Sequence, residues 1–290
     1  MKKVLITGAN GFIAKKIARV LKEAGFFIIG TSRHPVFVPD YDEIICGVLG
    51  EPLKDVFENH RIDIVVHCAY DKDDIENDNN AEGTLIWAEQ AEKSEVGLQI
   101  FMSSISADSD ALSPYGQKKY EVEKWFIAHN QLVFRLGLVV GNGGLFGRIV
   151  ATVKKSPLIP LIDKGKTLMY LSDIDTISQV VRDTIMNKNK IIKGRVWYLQ
   201  QEEPVFFVDI LREIREQFNL FRIFIPVPYF VVSILLSLTE KIKFFKIGVN
   251  TNNLKWARQI RQKKFKSDLN YLGYPETPIK MLIKRLLISN

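Results

Sequence analysis

The sequence predicts an α/β protein whose N-terminal half forms a doubly wound parallel sheet, followed by a smaller and less regular C-terminal region. Three observations predict it. The apolar runs at 3–7, 27–30, 44–48, 62–68, 98–103 and 132–138 are continuous rather than alternating, which is the pattern of parallel strands covered on both faces. Segments of helical period separate them, as crossover connections require. The first run ends on glycine and opens directly into a helix. A length of 290 residues suits one large α/β domain or a nucleotide domain with a smaller appendage, and 47% hydrophobic with 25% charged residues excludes a disordered or fibrous class.

Taken in order, the strand at 3–7 leads to Phe12, Ile13, Ile17, Val20 and Leu21 at helical spacing, closed by Gly25. A second strand follows at 27–30, a weaker third at 44–48, a helix around 53–59 and a fourth strand at 62–68. A long helix is expected over 74–93, a strand over 98–103, a helix over 114–129 and a strand over 132–138. Beyond Val140 the order loosens. Helices near 145–154, 173–186 and 208–218 alternate with short strands such as 195–200, and prolines at 157, 160, 204, 226 and 228 interrupt the chain. The domain reading is a nucleotide-binding domain over 1–165, to whose sheet 173–200 returns, and a substrate-binding region over 166–290.

Cys46 and Cys68 lie in apolar runs and form no C-x-x-C pair, so they read as core thiols of a reducing compartment. The apolar run after Met-Lys-Lys is too short for a secretory signal, and a cytoplasmic location is expected. The net charge is +7, with a basic run at Lys241, Lys243, Lys246, Lys255, Arg258, Arg261, Lys263, Lys264 and Lys266. Two readings of it stand: a solvated helical face, or, with the apolar stretch 229–238, a peripheral membrane contact through 229–266. That stretch is too short to cross a bilayer. Nucleic acid is not expected as a partner, because no binding motif or interleaved aromatics accompany the charge. No metal site is expected.

Gly8-Ala9-Asn10-Gly11-Phe12-Ile13-Ala14 joins the first strand to the first helix. Its glycines let the backbone turn and approach a pyrophosphate, a small third residue lets helix and strand pack, and the helix N-terminus offers free N–H groups. This makes the sheet Rossmann-type. At the end of the second strand no acid stands ready for a ribose 2′-hydroxyl. Ser32 and Arg33 occupy that place instead and suit a 2′-phosphate, so NADP(H) is preferred, with NAD(H) the alternative.

Tyr115 and Lys119, four residues apart at a helix start, share one helical face. A phenol titrates near pH 10, too high for neutral acid/base work, and an ammonium nearby favours its ionised form. Tyr120 and Lys124 repeat the spacing in mid-helix, where packing is the better reading. Ser113-Pro114 ahead of Tyr115 marks a helix entrance. Ser104 ends an apolar strand at the carboxyl edge of the sheet, where ligands collect.

These segments resemble the extended short-chain dehydrogenase/reductase family, the nucleotide-sugar epimerase, dehydratase and reductase group. The resemblance rests on Thr7-Gly8-Ala9-Asn10-Gly11-Phe12-Ile13-Ala14, His67-Cys68-Ala69, Asn80-Ala81-Glu82-Gly83-Thr84, Ser103-Ser104, Ser113-Pro114-Tyr115-Gly116-Gln117-Lys118-Lys119 and Arg135-Leu136-Gly137-Leu138-Val139-Val140-Gly141, in that order. It implies that Tyr115 is the acid/base, that Lys119 holds the nicotinamide ribose and that Ser104 orients the reacting oxygen. Gly8, Asn10, Gly11, Phe12, Ile13, Cys68, Ala69 and Tyr70 would line the cofactor, and the implied oligomer is a homodimer built on helices 74–93 and 114–129.

Departures from the family pattern narrow the choice. Ile105-Ser106 stands where sugar-nucleotide dehydratases carry Asp-Glu, which disfavours dehydration. The stretch from Lys166 to Asp173 keeps only the outline of the family's substrate motif, with Lys166 in place of a forked arginine. Asn142, Phe146, Arg148 and Lys166, with Ser104, are the expected substrate contacts. The implied activity is an NADP(H)-dependent reductase of a keto nucleotide sugar or related carbonyl compound, in surface polysaccharide synthesis. An NAD-dependent epimerase and a catalytically silent dinucleotide-sensing protein are the alternatives.

Overall fold

The structure, a computed structural model, describes residues 1–53, 56–71, 79–228 and 263–288. The chain forms two compact units, each discontinuous in sequence: 1–110 with 114–136 and 174–199, and 111–113 with 137–173 and 200–290.

In chain order the first unit holds β1 (Lys3–Thr7), α1 (Phe12–Glu23), β2 (Phe27–Ser32), β3 (Glu43–Cys46), α2 (Val56–Asn59), β4 (Ile64–His67), α3 (Asn79–Lys93), β5 (Leu98–Ser104), α4 (Pro114–Ala128), β6 (Leu132–Leu136), α6 (Ile174–Ile185) and β11 (Val196–Tyr198). Among the described residues its sheet has seven strands in the order β11-β6-β5-β4-β1-β2-β3, every pair parallel. The order reverses beside β1, at the step between β4 and β1, so the carboxyl ends of β1, β4 and β5 open a crevice where ligands bind in such sheets.

Burial explains the continuous apolar runs. All of β4 and β6, and nearly all of β1 and β5, are shielded on both faces. Leu5, Ile29, Val65 and Trp87 pack together in one core cluster, Phe101, Phe126 and Val133 in another. Helices α1 and α6 lie side by side, tied at the surface by Lys16 and Asp175. The expected burial of Cys46 is corrected: it is exposed, because β3 is the edge strand and Cys46 ends it. Cys68 is half-buried. Neither forms a disulfide.

The strand expected over 132–138 is two strands. β6 stops at Leu136, and β7 (Leu138–Val140) belongs to the second unit. Gly137 makes the break: a side chain there would lie 2.1 Å from the carbonyl oxygen of Tyr170, while Gly137 N–H donates to Ser172 Oγ and Leu138 N–H to Tyr170 O. Residues 137–165, read from sequence as nucleotide domain, thus lie in the second unit, whereas β11 joins the sheet beside β6.

The second unit has α5 (Gly144–Lys155), β8 (Leu158–Ile162), a 3-10 turn at Asp163–Gly165, β9 (Leu168–Met169), β10 (Leu171–Asp173), β12 (Val205–Phe206), α7 (Phe207–Gln217), β13 (Ile223–Val227), α8 (Leu269–Leu272) and α9 (Ile279–Ile288). Its strands pair in twos: β7 with β10, β8 with β13 and β9 with β12. Phe146, Val153, Leu171, Ile210, Ile214 and Ile283 fill its core, and Arg285 of α9 is ion-paired to the buried Asp173 at 2.8 Å. The apolar stretch 229–238, the basic residues from 241 to 261 and the first residues of the helix expected from 74 lie outside the described residues. Among those described, no helix is long and apolar enough to cross a membrane.

Candidate active site

The loop after β1 is shaped by glycine and two threonines. Gly8 has a φ of +72°, and a side chain there would lie 2.8 Å from Ala69 Cα, so only glycine fits on both counts. Thr31 Oγ1 accepts the Gly8 N–H, the Thr31 carbonyl accepts the Ala9 N–H, and Thr7 Oγ1 accepts the N–H groups of Cys68 and Ala69 at 3.0 Å each. Sequence reading placed Thr7 in the glycine motif but gave neither threonine this role, since each acts through a partner far along the chain. Ala14 is fully buried under the helix start. Helix α1 begins at Phe12 with no side-chain cap and no acid in its first turn, which leaves N–H donors for an anion. These features fit a dinucleotide diphosphate against Gly8, Asn10, Gly11, Phe12 and Ile13.

At the end of β2, Ser32 Oγ accepts the His34 N–H, and Arg33 projects from the following residue. Its guanidinium is ion-paired to Asp71, which comes from the segment after β4. A carboxylate distant in sequence thus faces the end of the second strand. Asn80 clamps the backbone of Asp71, accepting its N–H and donating to its carbonyl at 2.8 Å.

At the carboxyl end of β5 the Ser104 hydroxyl lies beside the Tyr115 phenol, close enough to bear on its titration, and donates to Ser106 Oγ at 3.2 Å. Lys119, one turn on in α4, donates to Met102 O at 2.9 Å and sits 4.4 Å from the Phe101 ring centre. Tyr70 packs edge-on to Tyr115 with ring centres 5.2 Å apart. The structure thus gathers Ser104, Tyr115, Lys119, Tyr70, Cys68 and Ala69 around the glycine loop.

Burial pushes the Tyr115 phenol above its ordinary value; the charge of Glu123 adds to this and the Ser104 hydroxyl opposes it. Burial holds Lys119 down to about 8, against Cys68 and Glu123. The Cys68 thiol is pushed up to about 12 by burial, which leaves it an inert thiol at neutral pH. At neutral pH the site therefore presents a protonated phenol, the form that gives up a proton.

Behind it lies a buried network that sequence reading missed. Glu123, another turn along α4 from Lys119, accepts from Ser103 Oγ and from Arg135 Nε and Nη2, while Arg135 donates to Tyr198 O–H at 2.7 Å. The i, i+4 spacing of Glu123 from Lys119 could have pointed to it, but its partners on β5, β6 and β11 leave no local signal.

His67 is buried beside it. Its Nε2 faces Gln99 Oε1 at 2.9 Å, Gln99 Nε2 donates to Ala88 O, and His67 Nδ1 has no partner, so the neutral Nε2–H form is the one that fits. Burial holds its pKa down to about 4 from 6.5. As pH falls from 6.5 to 4 the unfolded chain takes up a proton that the folded chain refuses, so this group makes stability drop with a slope approaching about 1.4 kcal/mol per pH unit. Urea midpoints measured between pH 7 and 5 should fall more steeply for the wild type than for His67→Gln, and equal slopes would refute this.

The four expected substrate contacts outside β5 lie in the second unit. Asn142, Arg148 and Lys166 are exposed, whereas Phe146 is fully buried among Val150, Leu171 and Ile210 and serves that unit's core.

Residues 4–143 match the family model described as "NAD dependent epimerase/dehydratase family". A curated ketoreductase of Penicillium roqueforti, adrE, is 45% identical over 47 residues, a match that spans only 16% of this chain and 14% of that protein. Among solved structures, the UDP-glucose 4-epimerase of Thermotoga maritima with UDP-glucose superposes with a TM-score of 0.75 at 15% identity, covering 99% of each chain. The UDP-glucose 4-epimerase of Bifidobacterium longum in complex with NAD+ and UDP does so at 0.72 and 16% identity, over 100% of this chain and 99% of that one. The enzyme WbmH of Bordetella bronchiseptica in complex with NAD+ gives 0.71 and 16% over 98% and 96%. At such identities the likeness is one of fold.

Proposed function

We propose, because the chain belongs over residues 4–143 to the NAD dependent epimerase/dehydratase family, that it is an oxidoreductase using NADP(H) to reduce a keto group on a nucleotide sugar or related carbonyl compound. The observation that carries this reading is the convergence of Tyr115, Ser104 and Lys119 at the end of β5 beside the glycine loop, where Tyr70 packs on the Tyr115 ring and Lys119 sits one turn away. When bound, the dinucleotide supplies the hydride that reaches the carbonyl carbon.

The chain's own residues do the rest. The Gly8 to Ile13 backbone holds the diphosphate, and Lys119 holds ribose hydroxyls. The hydroxyls of Ser104 and Tyr115 converge on the carbonyl oxygen, where hydrogen bonds strengthen as negative charge develops. Tyr115 then gives its proton to that oxygen, which leaves an alcohol and a phenolate stabilised by the Lys119 ammonium. A phenol kept protonated by burial favours this direction over abstraction of a proton from an alcohol. Incubation with NADPH and a keto nucleotide sugar should consume reduced cofactor in step with product; product without net cofactor loss would mean epimerisation and overturn the reading.

One observation favours NAD-dependent epimerisation as a second reading. Asp71 sits on the Arg33 guanidinium, where a carboxylate would accept a ribose 2′-hydroxyl bond and repel a 2′-phosphate. The two readings separate by titration. Under the NADP(H) reading, Arg33→Ala weakens NADPH about 10–100-fold, the worth of charged hydrogen bonds, with NADH little changed, and Asp71→Asn tightens NADPH. Fluorescence titration that finds NADPH binding unaffected by Arg33→Ala would assign the cofactor to NAD(H).

A further inference from the structure

We propose that the outer face of the β8/β13 pair, with the cations at its rim, is a docking surface for an anionic lipid bilayer. Leu158 lies opposite Ile223 and Pro160 opposite Ile225 in the parallel register, and all four are exposed, while Ile159 and Leu161 between them are buried in the unit's core. Leu158 is 52% exposed, Ile223 48% and Ile225 41%, and Phe221, just ahead of β13, is 83% exposed. On a strand with one face in the core the other face ordinarily carries polar side chains. Here β8 reads Leu-Ile-Pro-Leu-Ile and β13 Ile-Phe-Ile-Pro-Val, without a single polar or charged residue. Neither strand has the outward lysine that usually keeps an exposed sheet edge soluble.

Cations stand at the end of this face where the strands begin. The Arg222 guanidinium, between Phe221 and Ile223, donates to the carbonyls of Val153 and Lys154 and so rests on the last turn of α5, which carries Lys154 and Lys155. No acid interrupts the sequence from Ala151 to Ile162 or from Phe218 to Pro228. At the opposite end Asp163 and Lys164 follow β8 and offset one another. The wider charge balance agrees. Among the described residues this unit has 14 Lys and Arg against 9 Asp and Glu, while the other unit has 18 of each.

Large apolar side chains that gain by leaving water, bordered by cations, match the interfacial zone of a bilayer: Phe221 and the isoleucines enter the acyl boundary, and the lysines lie at the level of the phosphates. An acidic protein surface would satisfy the cations but would leave the apolar face without a counterpart. A second copy of the chain would cover the apolar face while bringing like charges together.

The test is co-sedimentation of the full chain with vesicles of phosphatidylcholine alone or mixed with phosphatidylglycerol. Binding to the mixed vesicles, lost at high salt and much weaker on pure phosphatidylcholine, is expected. Lys154→Gln with Lys155→Gln should weaken partitioning by about 25-fold, about fivefold for each surface cation. Phe221→Ser with Ile223→Ser should abolish it, with unchanged NADPH binding and circular dichroism as the check on folding; Lys155→Gln alone, on an exposed side chain, should weaken partitioning about fivefold and carries the test if the double variants misfold. Wild-type binding by both variants, or no binding to either vesicle, overturns the proposal. So does self-association in sedimentation velocity that Phe221→Ser removes, which would assign the face to a second copy.

Discussion

Tyr115→Phe is expected to lower turnover by about 10²–10⁴-fold, the usual worth of a positioned proton donor, while NADPH affinity stays within about twofold. The aromatic ring would keep its edge contact with Tyr70, so packing survives and only the hydroxyl is lost. Ser104 would still bond Ser106, which limits the disturbance to the proton itself. Steady-state assays beside fluorescence titration make the distinction. Unchanged turnover in this variant would refute the mechanism, whereas an inactive wild type that binds dinucleotide normally would identify a sensing protein.

Glu123→Gln is expected to destabilise the protein by about 3–5 kcal/mol, because it strips a buried guanidinium of its counter-charge. Glu123 is 1% and Arg135 8% exposed, and between them they join α4 to β5, β6 and β11 through Ser103 and Tyr198. Replacing both together, Glu123→Leu with Arg135→Met, should recover most of that loss, since a well-packed apolar pair often equals a buried ion pair. The recovered protein would differ in chemistry. Without the Glu123 charge, which raises both Tyr115 and Lys119, both groups would titrate at lower pH and the pH–rate profile would move down the scale. Urea unfolding of single and double variants measures the first effect. A Glu123→Gln loss under about 1 kcal/mol would show the pair to be open to solvent.

Much of the first unit was legible because its signals are local. Strands shielded on both faces must be apolar throughout, so β1, β4, β5 and β6 stand out as unbroken runs. The glycine loop and the Tyr115–Lys119 interval each fit within one turn of chain, and Ser104 is marked by its place at a strand end. What escaped depends on partners distant in sequence. Asp71 meets Arg33 from 38 residues further along, and Arg135 looks like an ordinary strand residue until β5, β6 and α4 are assembled around Glu123. Cys46 was misjudged because hydrophobic pattern does not reveal which strand ends a sheet. Phe146 was misjudged because a residue following a glycine-rich turn looks available for contacts, while its ring completes a core built from α7 and α9 as well. Among the described residues the strands of the second unit pair only in twos, and such short ladders leave little periodic trace.

Gly137 lets the chain quit the sheet after β6, and the sheet regains its last strand only at Val196. On the ribosome this imposes an order of events. A nascent chain that has emerged as far as position 136 holds six of the seven strands with β6 as a raw edge, and lacks the helix that rests on α1. At a synthesis rate of about 5–20 residues per second, several seconds pass before that edge is sealed, during which another polypeptide can add to it. The interval is a window of vulnerability in which a holding chaperone would do the most good.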